Sequence, residues 1–157
     1  MIKAPPPGNK YDCFEHGGNK DLAHIEGVVL QAQAMASPVR LQRGNPSWGA
    51  IHIAQKHAIW LNKNQLEVQE ILWLKLQHAG TIYNSEEKNK IKIDLRNNPP
   101  AMMVLRFIQE LQFFTVVTLY PRTGRIDGVP IGRYPGNGMK GPAPNLRLPM
   151  VQTTAAS

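Results

Sequence analysis

The sequence has very little cysteine, few acidic residues and no long apolar run. Its single cysteine, Cys13, can form neither an intrachain disulfide nor a cysteine zinc cage, so the protein does not depend on an oxidising compartment. The longest apolar candidate, Met102–Tyr120, is interrupted by charged residues such as Arg106 and Glu110, so we expect no membrane-spanning segment. Only 11 acidic residues stand against 18 Lys and Arg, which gives a net charge of +7. A small basic domain most often meets nucleic acid, an anionic membrane surface or an acidic protein.

The length of 157 residues fits one domain with some chain left over. Proline and glycine are frequent at both ends, which favours loops and linkers there. We therefore predict a linker and helix over residues 1–37, a central functional domain over 38–134, and a basic flexible tail over 135–157. Such a tail could follow an RNA backbone or be a solvated extension, and the composition leaves both interpretations open.

The first half of the chain has a helical period. Apolar residues recur every three or four positions from Asp21 to Met35, and Pro38 would stop that helix. Further helices are predicted over Trp48–Leu61 and over Gln65–Ala79, the second ending at Gly80.

After Gly80 the pattern changes from helical to alternating. Strands are predicted over 81–84, 90–96 and 113–120. Residues 102–109 fit either a strand or a helix begun by proline, and we favour the strand because a hairpin turn at Glu110-Leu111 would join it to the next one. The fold class predicted is therefore α+β, with N-terminal helices packed on an antiparallel sheet of about four strands.

One segment, Asn45–Leu61 (NPSWGAIHIAQKHAIWL), combines two histidines and a lysine. On a regular helix His52 and Lys56 share a face at i, i+4, away from the apolar stripe. His57 falls in that stripe, roughly 140° from His52. Imidazole exchanges protons near neutral pH and an ammonium can hold a phosphate, so His52 is the first candidate for acid–base chemistry and Lys56 for phosphate binding. His57 is either a second catalytic group or a core histidine.

Two stretches resemble one ribonuclease family. Gly49–His57 (GAIHIAQKH) and Phe114–Pro121 (FTVVTLYP) are similar to a helical G-x-x-H-I-x-x-x-H-like segment and a final F-V-V-T-L-Y-P-like strand in the barnase–EndoU–colicin–RelE superfamily, in its phage and polymorphic-toxin branch. The likeness covers about Val39 to Arg122. In barnase a glutamate is the base, whereas the strands here carry Asp94 and Glu110, and the sequence puts neither of them in a cleft.

The resemblance implies a metal-independent endoribonuclease toxin domain that cleaves tRNA or a similar RNA, needs no cofactor and is neutralised by a cognate immunity protein, which we expect to be acidic. It also implies a domain of a larger secreted toxin, acting in the cytoplasm of a target cell. The chemistry needs a base, an acid and fixed positive charge at the phosphate. The predicted catalytic residues are His52, His57, Lys56 and Thr118, and the predicted RNA- or phosphate-binding residues are Arg40, Arg43, Arg106, Tyr120 and Arg122.

Two other functions remain open from the sequence. The first is a non-catalytic basic module that binds nucleic acid or another protein. The second is a metal nuclease built on His52 and His57, which is weaker because no Asp/Glu cluster accompanies them. Each candidate arginine also has a simpler interpretation as an exposed surface residue.

Overall fold

The computed structural model describes residues 2–30 and 33–138. Residues 139–157, which make up most of the predicted basic tail, lie outside the described residues. The elements are β1 (Ile2–Lys3), β2 (Glu15–His16), β3 (Ala23–Leu30), β4 (Gln33–Arg40), α1 (Gly49–Lys56), α2 (Ala58–Lys63), α3 (Val68–Leu76), β5 (Gly80–Asn84), β6 (Lys90–Leu95), β7 (Ala101–Ile108), β8 (Phe113–Pro121) and β9 (Pro130–Tyr134).

Seven strands form one sheet in the order β3-β4-β8-β7-β6-β5-β9, and β1 pairs with β2 separately. All neighbours in the large sheet are antiparallel except β4 and β8, which run parallel over a short stretch. The two edge strands, β3 and β9, approach each other, so the sheet is a nearly closed barrel. Gly132 permits this approach, because a Cβ at that position would lie 3.2 Å from Cγ2 of Val28.

The core lies inside this curved sheet. Along β6 the residues Ile91, Ile93 and Leu95 are fully buried, which is the face that the alternation in KIKIDL predicts. Phe114 and Leu119 of β8 are also fully buried. The helices add their own fully buried side chains, Ile53, Ile71, Leu72 and Leu76.

The predicted fold class is wrong. Of the described residues, 41% are in strands and 18% in helices, and the large sheet has seven strands rather than about four. The predicted helix over Asp21–Met35 is instead the hairpin of β3 and β4. A bulge in β3 between Ile25 and Val28 explains the error: it puts two buried residues three positions apart, which is also the spacing of a helical face. Within the bulge, Gly27 has φ = +71°, a value outside the helical region.

The second predicted helix is broken. α1 and α2 are separated at His57, whose φ of −117° and ψ of 28° are not helical. The third helix is shorter than predicted, and its capping box joins Glu67 and Glu70.

The four strands expected after Gly80 are present as β5–β8, and the turn between β7 and β8 spans residues 109–112. They form one block of the larger sheet, with the β3–β4 hairpin on one side and β9 on the other. Residues Pro130–Tyr134 form β9, a strand that is not among those predicted from the sequence.

A buried lysine gives the fold a pH dependence. Lys75 of α3 is fully buried, its Nζ donates to the backbone oxygen of Asn97 at 2.6 Å, and burial lowers its pKa to about 8. Between pH 8 and 10.5 the unfolded chain holds this proton and the folded chain does not, so stability rises with pH in that window. Lys75→Met should remove the rise, which amounts to about 3 kcal/mol in the free energy of unfolding. Urea unfolding at pH 7 and pH 10 measures it, with the exposed Lys63→Met as control. An unchanged pH dependence in Lys75→Met would contradict the assignment.

Candidate functional site

The turn before α1 orients the ring of His52. The Nδ1 atom lies 2.9 Å from the backbone oxygen of Pro46, and the turn itself is held by Asn45, whose Oδ1 accepts from the N–H of Ser47 at 2.8 Å. A carbonyl oxygen only accepts hydrogen bonds, so Nδ1 carries the proton. Nε2 is therefore the nitrogen at which His52 can take up or release a proton.

The break between α1 and α2 brings His57 back towards His52. The two ring centroids are 6.2 Å apart and nearly perpendicular. The separation of roughly 140° holds only for a continuous helix, and the helix ends at this residue. Burial lowers the pKa of His57, and the nearby His52 and Lys56 lower it further. The ring is half-buried rather than enclosed in the core, and its neutral form is favoured near neutral pH.

Strand β8 supplies the second wall of the site. The ring of Tyr120 lies 6.0 Å from that of His57, and burial raises its pKa, so the phenol stays protonated and can donate a hydrogen bond. Thr118 lies two residues earlier. Its Oγ1 is buried, and the described part of the chain offers it no hydrogen-bond partner. The two side chains share the outer face of the sheet, since the β8 bulge lies before Thr118.

A small basic cavity of about 160 Å³ lies beside Tyr120. Lys92, Arg122 and Arg125 line it, together with the carboxylate residue Asp127. Lys92 also fixes the loop on the other side of this cavity, because its Nζ donates to the backbone oxygen of Asp127 at 3.0 Å. Three cations around one small opening suit an anion such as a phosphate.

A buried carboxylate fixes Arg122 in this cavity. Asp94 is 2% exposed, and its Oδ1 lies 2.7 Å from Nε of Arg122, close enough for an ion pair although the angle does not suit a hydrogen bond. Its other oxygen accepts from Nε of the exposed Arg96 at 2.8 Å. Asp94 lies in one cross-strand row with Met102 and Tyr120, which explains why it lies next to the site.

Three of the predicted RNA-binding arginines lie elsewhere. Arg40 forms an ion pair with Asp21 at 2.7 Å and lies over the ring of Phe113. Arg43 holds the N-terminal loop through Asp12 at 2.9 Å and through backbone oxygens of residues 5, 6 and 9. Arg106 is half-exposed on β7, with its nearest acid at 4.0 Å.

The structure therefore brings together His52, His57 and Tyr120, and it places Arg122 beside Tyr120 in the basic cavity. Thr118 lies two residues before Tyr120 on β8, and Lys56 is exposed in the last turn of α1. Sequence reasoning missed Lys92 and Arg125. The signal for Lys92 was its place on the polar face of KIKIDLR, the face that also carries Asp94.

No family model, curated protein or solved structure matches this chain. Within residues 2–30 and 33–138, no group of three or more His, Cys, Asp or Glu side chains could hold a metal ion. No helix in that part of the chain is long and apolar enough to cross a membrane.

The arrangement predicts a low titration midpoint for His57. Its imidazole should titrate below 6.5, because burial and two neighbouring groups oppose its protonation. In His52→Gln the midpoint should rise but stay below 6.5, since burial is the largest cause and remains. Proton NMR of the ring signals measures both values, with His57→Gln to assign the resonance. A midpoint at or above 6.5 in the unmodified protein would contradict this description.

Proposed function

We propose that this protein is a metal-independent endoribonuclease that cleaves tRNA or a similar RNA by attack of a 2′-hydroxyl on the adjacent phosphate. The observation that carries the proposal is the pair of imidazoles, His52 and His57, 6.2 Å apart beside the phenol of Tyr120. Two proton-transfer groups at this separation can stand on either side of one phosphodiester.

The protonation states divide the roles. His57 is favoured in its neutral form, which suits the base that removes the 2′-hydroxyl proton. The 2′-oxygen then bonds to phosphorus, the bond from phosphorus to the 5′-oxygen breaks, and Nε2–H of protonated His52 donates to that oxygen. The products are a 2′,3′-cyclic phosphate and a 5′-hydroxyl. Nε2 is the nitrogen of His52 that transfers the proton, because Nδ1–H donates to the backbone oxygen of Pro46.

Side chains from β8 and from α1 can stabilise the negative charge of the phosphate. Tyr120 can donate its phenolic proton to a non-bridging oxygen. The hydroxyl of Thr118 on the same face is buried, so we assign it no direct contact with the phosphate. Lys56 and Arg122 supply positive charge from α1 and from the end of β8. Donors and charges that are already positioned stabilise the developing charge without reorganising.

The family resemblance contributes only its motif, because the order of elements differs from the one it implies. The same proposal includes an acidic immunity protein that covers this site, and delivery within a larger toxin to the cytoplasm of a target cell. The net charge of +7 supports an acidic partner.

The test is incubation of the protein with total tRNA in EDTA. Cleavage is expected. Intact RNA with tight, salt-sensitive binding would instead indicate a non-catalytic binding module. Cleavage only after a divalent metal is added would indicate a metal nuclease.

A further inference from the structure

A groove on the outer face of the sheet lies next to the candidate site. Its volume is about 260 Å³, and β7 and β8 form its floor. Tyr11 and Trp48 form one wall, with ring centroids 6.1 Å apart and planes tilted by 32°. We call this the aromatic groove. We propose that it binds one nucleobase of the RNA, next to the nucleotide that is cleaved, and this inference rests on the proposed function.

The shape of the groove suits a single planar ring. Pockets that hold drug-sized ligands span about 300–1,000 Å³, so about 260 Å³ fits a small ring system rather than a whole nucleotide. Tyr11 is 60% exposed, although an aromatic ring of that size usually packs. Bases stack on such exposed rings irrespective of their sequence.

The rim and the floor of the groove carry polar groups that could contact the phosphate and the base edge of a nucleotide. Arg106 lines the rim, is half-exposed and lies 4.0 Å from its nearest acid, so its guanidinium can turn to a phosphate. On the floor, Thr115 donates to Gln42 at 2.8 Å, and Gln42 donates to the backbone oxygen of Tyr11 at 3.0 Å. The lone pairs left on the Thr115 hydroxyl can accept from the edge of a base.

The groove is continuous with the catalytic groups. Trp48, which lines the groove, is the residue before Gly49, where α1 begins, and α1 carries His52. Thr115 and Thr118 are both on β8, and because of the bulge before Thr118 they lie opposite Arg106 and Val104, two residues apart on β7, which is about 7 Å along the strand. This distance places the bound base on a neighbouring nucleotide and not on the one whose 2′-hydroxyl His57 deprotonates.

The experiment uses a short single-stranded RNA that carries 2′-O-methyl groups and cannot be cleaved. Its base is removed at one position at a time, and the affinity of each abasic RNA is measured by fluorescence anisotropy. In the unmodified protein one position should matter, with affinity falling about tenfold. In Trp48→Leu that position should lose its effect, whereas the matched Trp73→Leu, on the far helix α3, should keep it. If Trp48→Leu does not fold, Tyr11→Ala replaces it, since Tyr11 is largely exposed.

If every abasic RNA binds the unmodified protein with the same affinity, the inference is overturned. The groove would then suit a side chain of a partner protein rather than a base. The inference is also overturned if removal of the base at the sensitive position lowers affinity as much in Trp48→Leu as in the unmodified protein. The same holds for Tyr11→Ala where that variant replaces Trp48→Leu. The two proposals can be distinguished. If the protein does not cleave tRNA, the proposed function fails, but an affinity loss at one abasic position would still establish the base site. His52→Gln should retain that discrimination, because it changes proton transfer and not the groove.

Discussion

His52→Gln is expected to slow RNA cleavage by about 10²–10⁴-fold, the range usually found when a general acid or base is removed. The protein should remain folded, because the ring is half-exposed and its one hydrogen bond in the structure is to the backbone oxygen of Pro46. Glutamine keeps a polar side chain at this place but cannot donate a proton to the leaving 5′-oxygen. The loss should therefore appear in the chemical step and not in RNA binding.

Single-turnover cleavage with excess protein separates these two steps. His24→Gln is the matched control, because His24 is exposed on β3, in the hairpin. The control should cleave at the rate of the unmodified protein. If His52→Gln also cleaves at that rate, His52 is not the proton donor. If its RNA binding weakens by the whole factor, its role is in binding.

Arg122→Ala is expected to lower the free energy of unfolding by about 3 kcal/mol, because it leaves one oxygen of the buried Asp94 carboxylate without its cation. The control is Arg96→Ala, which removes the other arginine on the same carboxylate. The side chain of Arg96 is 72% exposed and that of Arg122 is 24% exposed. Water can replace Arg96, so its removal should shift the unfolding midpoint little.

Urea unfolding of the two variants, with unchanged slopes, makes this comparison. Arg122→Ala should also weaken the binding of inorganic phosphate at the small cavity, which Arg96 does not line. Equal midpoints for the two variants would show that Asp94 is not held through Arg122.

The sequence predicts a strand most clearly where apolar and polar residues alternate without interruption, as in β6. β6 alternates Ile91, Ile93 and Leu95 with polar residues, and no bulge interrupts it. The alternation in β3 is interrupted at Gly27, and a single extra residue there was enough to imitate a helix. The pairing of β4 with β8 and of β5 with β9 joins distant parts of the chain, which local periodicity does not report.

The same reasoning separates the parts of the site. His52 and Lys56 could be singled out because helical phase puts them off the apolar stripe. The place of His57 depended on a break in the helix that its apolar neighbours do not signal. Arg43 looked available for RNA in the sequence, but distant backbone oxygens and Asp12 occupy its guanidinium. Lys92 and Arg125 meet Arg122 only through the register of the sheet and the loop that follows β8.

The chemistry of the cut ends tests the central claim most directly. If His57 and His52 act as base and acid on a 2′-hydroxyl, tRNA fragments made in EDTA carry 2′,3′-cyclic phosphates and 5′-hydroxyls, and mass spectrometry of the fragments detects both. Fragments with 3′-hydroxyl and 5′-phosphate ends would mean that water and not the 2′-oxygen attacks, which would contradict the roles assigned to these two histidines.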